Sequence, residues 1–137
     1  MIAQFSLIAL VILACRQVPQ QGTGGGWLLA CGLLLGAWTL ANNRPHNFNI
    51  VPLPREGASI CFDGPYDYIR HPMYSAVLLA LLGVVIMTAC PVSLLAWVAL
   101  ALVLDRKAAM EEKLLTEKHA EYAEYAQARK RFIPGIY

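Results

Sequence analysis

Residues 72–104 read PMYSAVLLALLGVVIMTACPVSLLAWVALALVL and contain no charged side chain. Two apolar runs lie within this stretch, Pro72 to Cys90 and Val92 to Leu104. Proline has no amide hydrogen and cannot continue a helix interior, so Cys90-Pro91 marks a tight turn inside a helical hairpin. Working outward, two more apolar runs precede it, Ile2 to Cys15 and Trp27 to Ala41. Each run is at or below the roughly 20 residues of a bilayer-crossing helix, and interfacial residues, tilt or local thinning complete a short span. The expected fold is therefore all-α. It is a polytopic membrane protein of four transmembrane helices, about 2–15, 27–41, 72–90 and 92–104, in a single domain over 1–137. A loop over 42–71 and a tail over 105–137, which extends the fourth helix, complete it.

Composition agrees. The 137 residues are 58% hydrophobic and 15% charged, whereas a soluble domain carries about 25% charged residues. All but Arg16 of the 11 basic residues fall in 42–72 and 105–137, and so does every acidic one. Basic residues concentrate in cytoplasmic segments, which assigns the N-terminus, the 42–71 loop and the tail to the cytoplasmic side. A net charge of +2 gives no reason to expect nucleic acid. The first run lacks a basic leader and a second run follows at once, so it reads as a retained helix rather than a signal peptide.

Three features are expected to be only structural. Trp27 is placed as an interfacial aromatic, whereas Trp97 lies too deep in its run for that role. The segment Gln17 to Gly26, QVPQQGTGGG, is a Gly-rich loop with neither a preceding strand nor a following GK[ST], so it is no phosphate cradle. Cys15, Cys31, Cys61 and Cys90 form no CxxC pair, and Cys15 and Cys31 read as small apolar packing residues.

Chemistry-bearing residues gather in three places. In GPYDYIRHPMY (64–74), Pro72 suits the first position of the third helix and His71 its cap. Arg70, His71 and three tyrosines then surround a helix N-terminus that suits an anion, or they simply anchor the helix at headgroup level. Beyond the fourth span the chain continues helical from Asp105 to about Ala128, with no Gly or Pro to stop it. At 100° per residue Glu111 faces the packed side with Leu114, Leu115 and Tyr122, and Glu112 a more polar side with Thr116 and His119. The two carboxylates suit a cationic ligand or ribose hydroxyls, or else form an ordinary solvated face. The ending RKRFIPGIY (129–137) places basic residues beside Phe132 and Ile133, which should fold back onto the protein or hold the tail at anionic headgroups.

GPYDYIRHPMY, the later EEKLL and the closing YAEYAQARKRFIP resemble the isoprenylcysteine carboxyl methyltransferase and phospholipid N-methyltransferase family. They look like its GxYxxxRHPxY signature, its paired glutamates and its terminal R-F-x-P, in the right order over residues 64 to 134. The resemblance implies an integral membrane enzyme, in the bacterial inner membrane, that uses S-adenosylmethionine. It implies a lipid-like or prenylated acceptor, carboxylate or amine, that enters from the bilayer, with membrane lipids as partners. Arg70, His71 and Tyr74 become candidate catalytic residues. Tyr66, Arg70, His71, Tyr74, Glu111, Glu112, Arg131 and Pro134 become candidate cofactor-binding residues, and no metal is implied. A sulfonium is already activated, so methyl transfer needs alignment and desolvation more than a protein nucleophile. At Ser75-Ala76 many relatives carry glycine, and the alanine is expected to tighten the pocket slightly. A membrane reductase using NADPH and a non-catalytic membrane module are the alternatives, and ligand binding separates them.

Overall fold

The structure is a computed structural model and describes residues 2–16, 24–42 and 63–137. Among the described residues five α-helices follow in order: α1 Ile2–Arg16, α2 Gly24–Asn42, α3 Pro72–Thr88, α4 Pro91–Lys118 and α5 Ala120–Ala128. A 3-10 turn, Gly64–Asp67, leads into α3. Among the described residues there is no strand, only a single parallel bridge between Ile69 and Lys130. The fold is thus all-α. By length and composition α2 is long and apolar enough to cross a membrane, while the apolar helices Gln4–Leu13 and Pro72–Thr88 are shorter.

Helix boundaries follow local chemistry. Proline opens both α3 and α4, where a missing amide hydrogen is no loss. His71 caps α3 through its backbone oxygen, which accepts from the Tyr74 and Ser75 amides at 3.1 Å each. The α3 helix ends at Thr88, two residues short of Cys90; Ala89 caps it in the left-handed region (φ 49°), and Pro91 then starts α4. The hairpin is therefore as tight as Cys90-Pro91 requires.

Two expectations need correction. The Gly-rich loop is shorter than its composition implies, because Gly24 to Gly26 are the first turn of α2; residues 17–23 lie outside the described residues. The reason is packing. A Cβ on Gly25 would collide with the Gly83 carbonyl oxygen, and one on Gly83 would stand 2.5 Å from the Gly25 oxygen and 2.5 Å from the Leu29 amide nitrogen. Gly32 is equally close to the Ala76 and Ala80 backbone. Small residues bring α2 and α3 to backbone contact, and dispersion over that surface favours helix over loop. Second, the tail helix is not continuous. His119 is extended (φ −132°, ψ 106°), its amide closing α4 on Leu115 and its oxygen accepting from Tyr122 at 3.1 Å to open α5.

The core runs along α1, α3 and α4 through Val11, Leu81, Val85, Ala96, Leu100 and Leu104. Trp97 packs beside it and donates Nε1 to the Leu78 oxygen at 2.8 Å, so it joins α4 to α3. Buried Thr39 and Thr88 bond carbonyls one turn back in their own helices, the usual solution for a hydroxyl in an apolar helix. Leu10, Leu13, Leu33, Leu34, Leu95 and Leu102 face outward, so the helices are apolar on both sides. Trp27 is exposed at the start of α2, and Cys31 is exposed rather than packed; the Cys15 side chain lies outside the described residues.

Candidate functional site

The site forms where α3 and α4 leave the apolar part of the molecule. Gly64, at φ +67°, takes a conformation that disfavours a side chain, and a Cβ there would press on the Asn42 amide at 2.7 Å. The 3-10 turn therefore sits on the end of α2. From it residues 69–71 run beside the tail. Arg70 N–H donates to the Lys130 oxygen at 2.8 Å, and His71 N–H to the Arg131 oxygen at 3.1 Å. These two bonds bring the tail across the first turn of α3.

Glu112 is the hub. Arg131 grips it with a fork, Nη2 to Oε2 at 2.8 Å and Nε to Oε1 at 3.1 Å. His71 Nε2 lies 3.0 Å from Oε1, and Arg70 Nε lies 3.4 Å from the same oxygen. Arg131 also reaches Asp105 Oδ1 at 2.8 Å, which accepts from the Tyr137 hydroxyl at 2.9 Å. Burial opposes ionisation of Glu112, but the bonds from His71 and Arg131 and the nearby cationic charge overcome it and pull its pKa down to about 2. The bond to Glu112 acts most strongly on Arg131, holding the guanidinium charged against some burial, and Asp105 adds to it. A carboxylate so acidic has no proton to give, so the shared hydrogen belongs to His71 Nε2.

Glu111 makes a looser set of contacts. It accepts from the Tyr74 hydroxyl at 2.7 Å, and Lys107 Nζ and His71 Nδ1 stand 3.8 Å and 3.7 Å away. The His71 and Tyr74 rings stack with centroids 5.3 Å apart and 2° between planes, and Phe132 tilts against both. Ser75 Oγ donates to the Phe132 oxygen at 2.8 Å. Arg70 donates Nη1 to the Ala126 oxygen of α5 at 3.1 Å, while its buried Nε has no hydrogen-bond partner among the described residues.

Arg70, His71, Tyr74, Glu111, Glu112 and Arg131 are therefore brought together, from three regions far apart in the chain. Tyr66 enters by its backbone oxygen, which accepts from the Tyr125 hydroxyl at 2.7 Å. Pro134 is exposed in the terminal turn and does not join the cluster. Phe132 folds back as its apolar character requires, but Ile133 stays half exposed.

The assignment of one inward and one outward carboxylate is overturned. Both face the cluster, and Glu112 is the less exposed, 12% against 19% for Glu111. Helical phase ranks only what lies on the helix itself. The break at His119 turns the chain back, and residues 130–132 then cover the side on which Glu112 projects. Ala76 is also misplaced as a pocket residue. It is buried on the α2 side, 3.6 Å from where a Cβ on Gly36 would stand.

Residue-by-residue reading of the sequence missed Lys107. Its ammonium lies 5.2 Å from the Tyr74 ring centroid and 3.4 Å from Gln4 Oε1 of α1, so it ties the first helix to the cluster. The available signal was its position four residues before Glu111.

Comparison with known proteins gives this arrangement a family. The phospholipid methyltransferase family model matches residues 21–122, which include Arg70, His71, Tyr74, Glu111 and Glu112 but not Arg131. The cobalt-zinc-cadmium resistance protein CzcN of Cupriavidus metallidurans is 33% identical over 83 residues. That stretch is 60% of this chain and spans 38% of the relative's length. The family model covers well over half of the chain, and the chain belongs to the phospholipid methyltransferase family.

Proposed function

We propose that this membrane protein transfers a methyl group from S-adenosylmethionine to a lipid-like acceptor that reaches the site from the bilayer. The observation that carries the proposal is the convergence of Arg70, His71 and Tyr74 with Glu111 and Glu112, in a chain of the phospholipid methyltransferase family. These residues fit the cofactor. Arg70 Nε is buried, stands 3.4 Å from Glu112 and makes no hydrogen bond among the described residues, so a cofactor carboxylate can compete for it. Among the described residues Glu111 has one hydrogen bond, from Tyr74, and retains lone pairs for an ammonium or for ribose hydroxyls. When bound, the sulfonium supplies an activated methyl group.

The protein's part is alignment, exclusion of water and control of one proton. Tyr74 and Phe132 wall His71 against water, and the Tyr74 hydroxyl fixes Glu111. With Nε2–H committed to Glu112, Nδ1 is the ring nitrogen left to take a proton from an amine acceptor. A carboxylate acceptor would make no use of it. Arg131 holds Glu112 ionised, and so holds the histidine tautomer.

We further infer four crossings. The α3 helix and the apolar start of α4 are about 26 Å and 21 Å long, near enough to a 30 Å hydrocarbon layer for interfacial residues to complete. The N-terminus, loop 42–71 and tail then share the cytoplasmic face, the side that the distribution of basic residues favours, and the membrane is read as a bacterial inner membrane.

Isothermal titration of the detergent-solubilised protein tests the cofactor. Binding of S-adenosylhomocysteine supports the proposal. Binding of NADPH instead, or of neither, overturns it. Transfer of tritiated methyl groups into extracted membrane lipids then identifies the acceptor class.

A further inference from the structure

Residues 129–137 are pinned at the level where α3 and α4 leave their apolar stretches. Asp105 is the first charged residue after the apolar start of α4, and it accepts from both Arg131 and the Tyr137 hydroxyl. Phe132 packs against Tyr74 in the first turn of α3, and its carbonyl takes the Ser75 hydroxyl. Between these pins the chain closes on itself. The Phe132 and Ile133 amides donate to the Tyr137 backbone oxygen at 2.7 Å each, and the Tyr137 amide donates to the Ile133 oxygen at 3.1 Å.

A turn that bonds its own backbone can rest against lipid at little polar cost. Its side chains are those that would do so. Ile133 is 50% exposed and Ile136 74%, with Pro134 exposed between them and Tyr137 half exposed. Exposed Lys130 precedes the turn, and exposed Arg106 follows Asp105. Isoleucine at the tip, tyrosine beside it and basic residues on the flank match an interface with anionic lipid. The geometry points to the 133–136 turn as an anchor that dips into the anionic surface of the same membrane. Because Arg131 lies in this segment, seating the turn also holds the Arg131–Glu112 fork in place.

The inference rests on the four-crossing reading, and the test separates the two. A nitroxide is attached at Ile136→Cys after Cys15, Cys31, Cys61 and Cys90 are changed to serine. Controls carry it at Leu102→Cys, on the outward face of α4, and at Lys118→Cys, at the exposed end of α4. Each protein is placed in nanodiscs of phosphatidylcholine with a quarter phosphatidylglycerol. Power saturation then compares accessibility to oxygen, which concentrates in lipid, and to a nickel chelate, which stays in water. Oxygen dominates at 136 and 102, and nickel at 118, if the anchor exists. Nickel at 136 with oxygen at 102 removes the anchor alone, and nickel at 102 removes the four crossings with it. Exclusion of both reagents from 136 means protein contact, such as a second copy, and also overturns the anchor. Adding Lys130→Gln and Arg106→Gln should shift 136 toward nickel in these discs but not in pure phosphatidylcholine; no shift sinks the anionic partner.

Discussion

The α2–α3 contact and the cluster between α3, α4 and the tail hold the molecule by opposite means. Along α2 and α3 the side chains have almost vanished, and Gly25, Gly32 and Gly83 let backbones touch. At the polar end every side chain is long, and Glu112 alone gathers contacts from Arg70, His71 and Arg131. The first region cannot grow by one methyl group. The second tolerates small shifts in position but not a change of charge. A methyltransferase site set on a rigid helix pair and closed by an ionic hub would use both properties: fixed walls, and a latch that a charged ligand can compete for.

The sharpest break is steric. Gly83→Leu places a branched chain where Gly25 and Leu29 offer only backbone, so the helices must part. Overpacking of this kind costs about 3 kcal/mol or more. Loss of the monodisperse peak on gel filtration in detergent is the expected result. Gly36→Ala is the control, since its Cβ meets only the Ala76 methyl at 3.6 Å. It should melt at or slightly above the parent temperature, because alanine favours helix by about 1 kcal/mol over glycine.

Breaking the hub comes next. Glu112→Gln removes the charge that Arg131 and His71 share and should cost about 2 kcal/mol, less than a fully buried pair. Affinity for S-adenosylhomocysteine should fall as well, as in Glu111→Gln, measured by titration calorimetry, because Glu112 positions the Arg70 and His71 that face the ligand. Parental affinity and stability in Glu112→Gln would restore the helical-phase argument and reduce the Arg131 fork to a local contact.

The same residue sets a pH dependence. The Glu112 pKa falls from 4.5 to about 2 on folding, so its contribution is complete above about pH 4.5 and disappears as pH drops toward 2. Thermal melts of the parent and Glu112→Gln should therefore differ by a constant amount at neutral pH and converge across that window. Convergence already at pH 6 would mean that Glu112 is not held so acidic.

Much of the hairpin was legible because proline and apolar runs act locally. Pro72 and Pro91 each open a helix, as expected for a residue with no amide hydrogen. The motif residues were legible as a set, yet their arrangement was not. The order of Glu111 and Glu112 depends on residues 130–132 returning over α4, and nothing within one helix encodes that return. His119 was unreadable as a break because histidine has only a mild preference against helix. The break does let α5 turn back, so that the Tyr125 hydroxyl reaches the Tyr66 oxygen at 2.7 Å. The glycines of 24–26 misled for the complementary reason. Their composition signals a loop, but Gly25, Gly32 and Thr39, seven residues apart, form the buried stripe of α2.

The smallest effect tests whether the two regions are separate units of stability. Tyr125 donates its hydroxyl to the Tyr66 oxygen at 2.7 Å, joining α5 to the turn before α3. Burial, with some help from nearby tyrosines, pushes the phenol pKa up, so it remains a donor throughout the physiological range. Tyr125→Phe keeps the ring that packs on Tyr122 at 5.6 Å and removes this bond, worth about 1 kcal/mol. Amide exchange in α5 should quicken by roughly fivefold, the factor that such a loss implies. Exchange along α2 and α3 should not change, because their interface is held by its own close backbone packing at Gly25, Gly32 and Gly83. If all three helices quicken together, the ionic end and the glycine seam open as one, and the division between them is false.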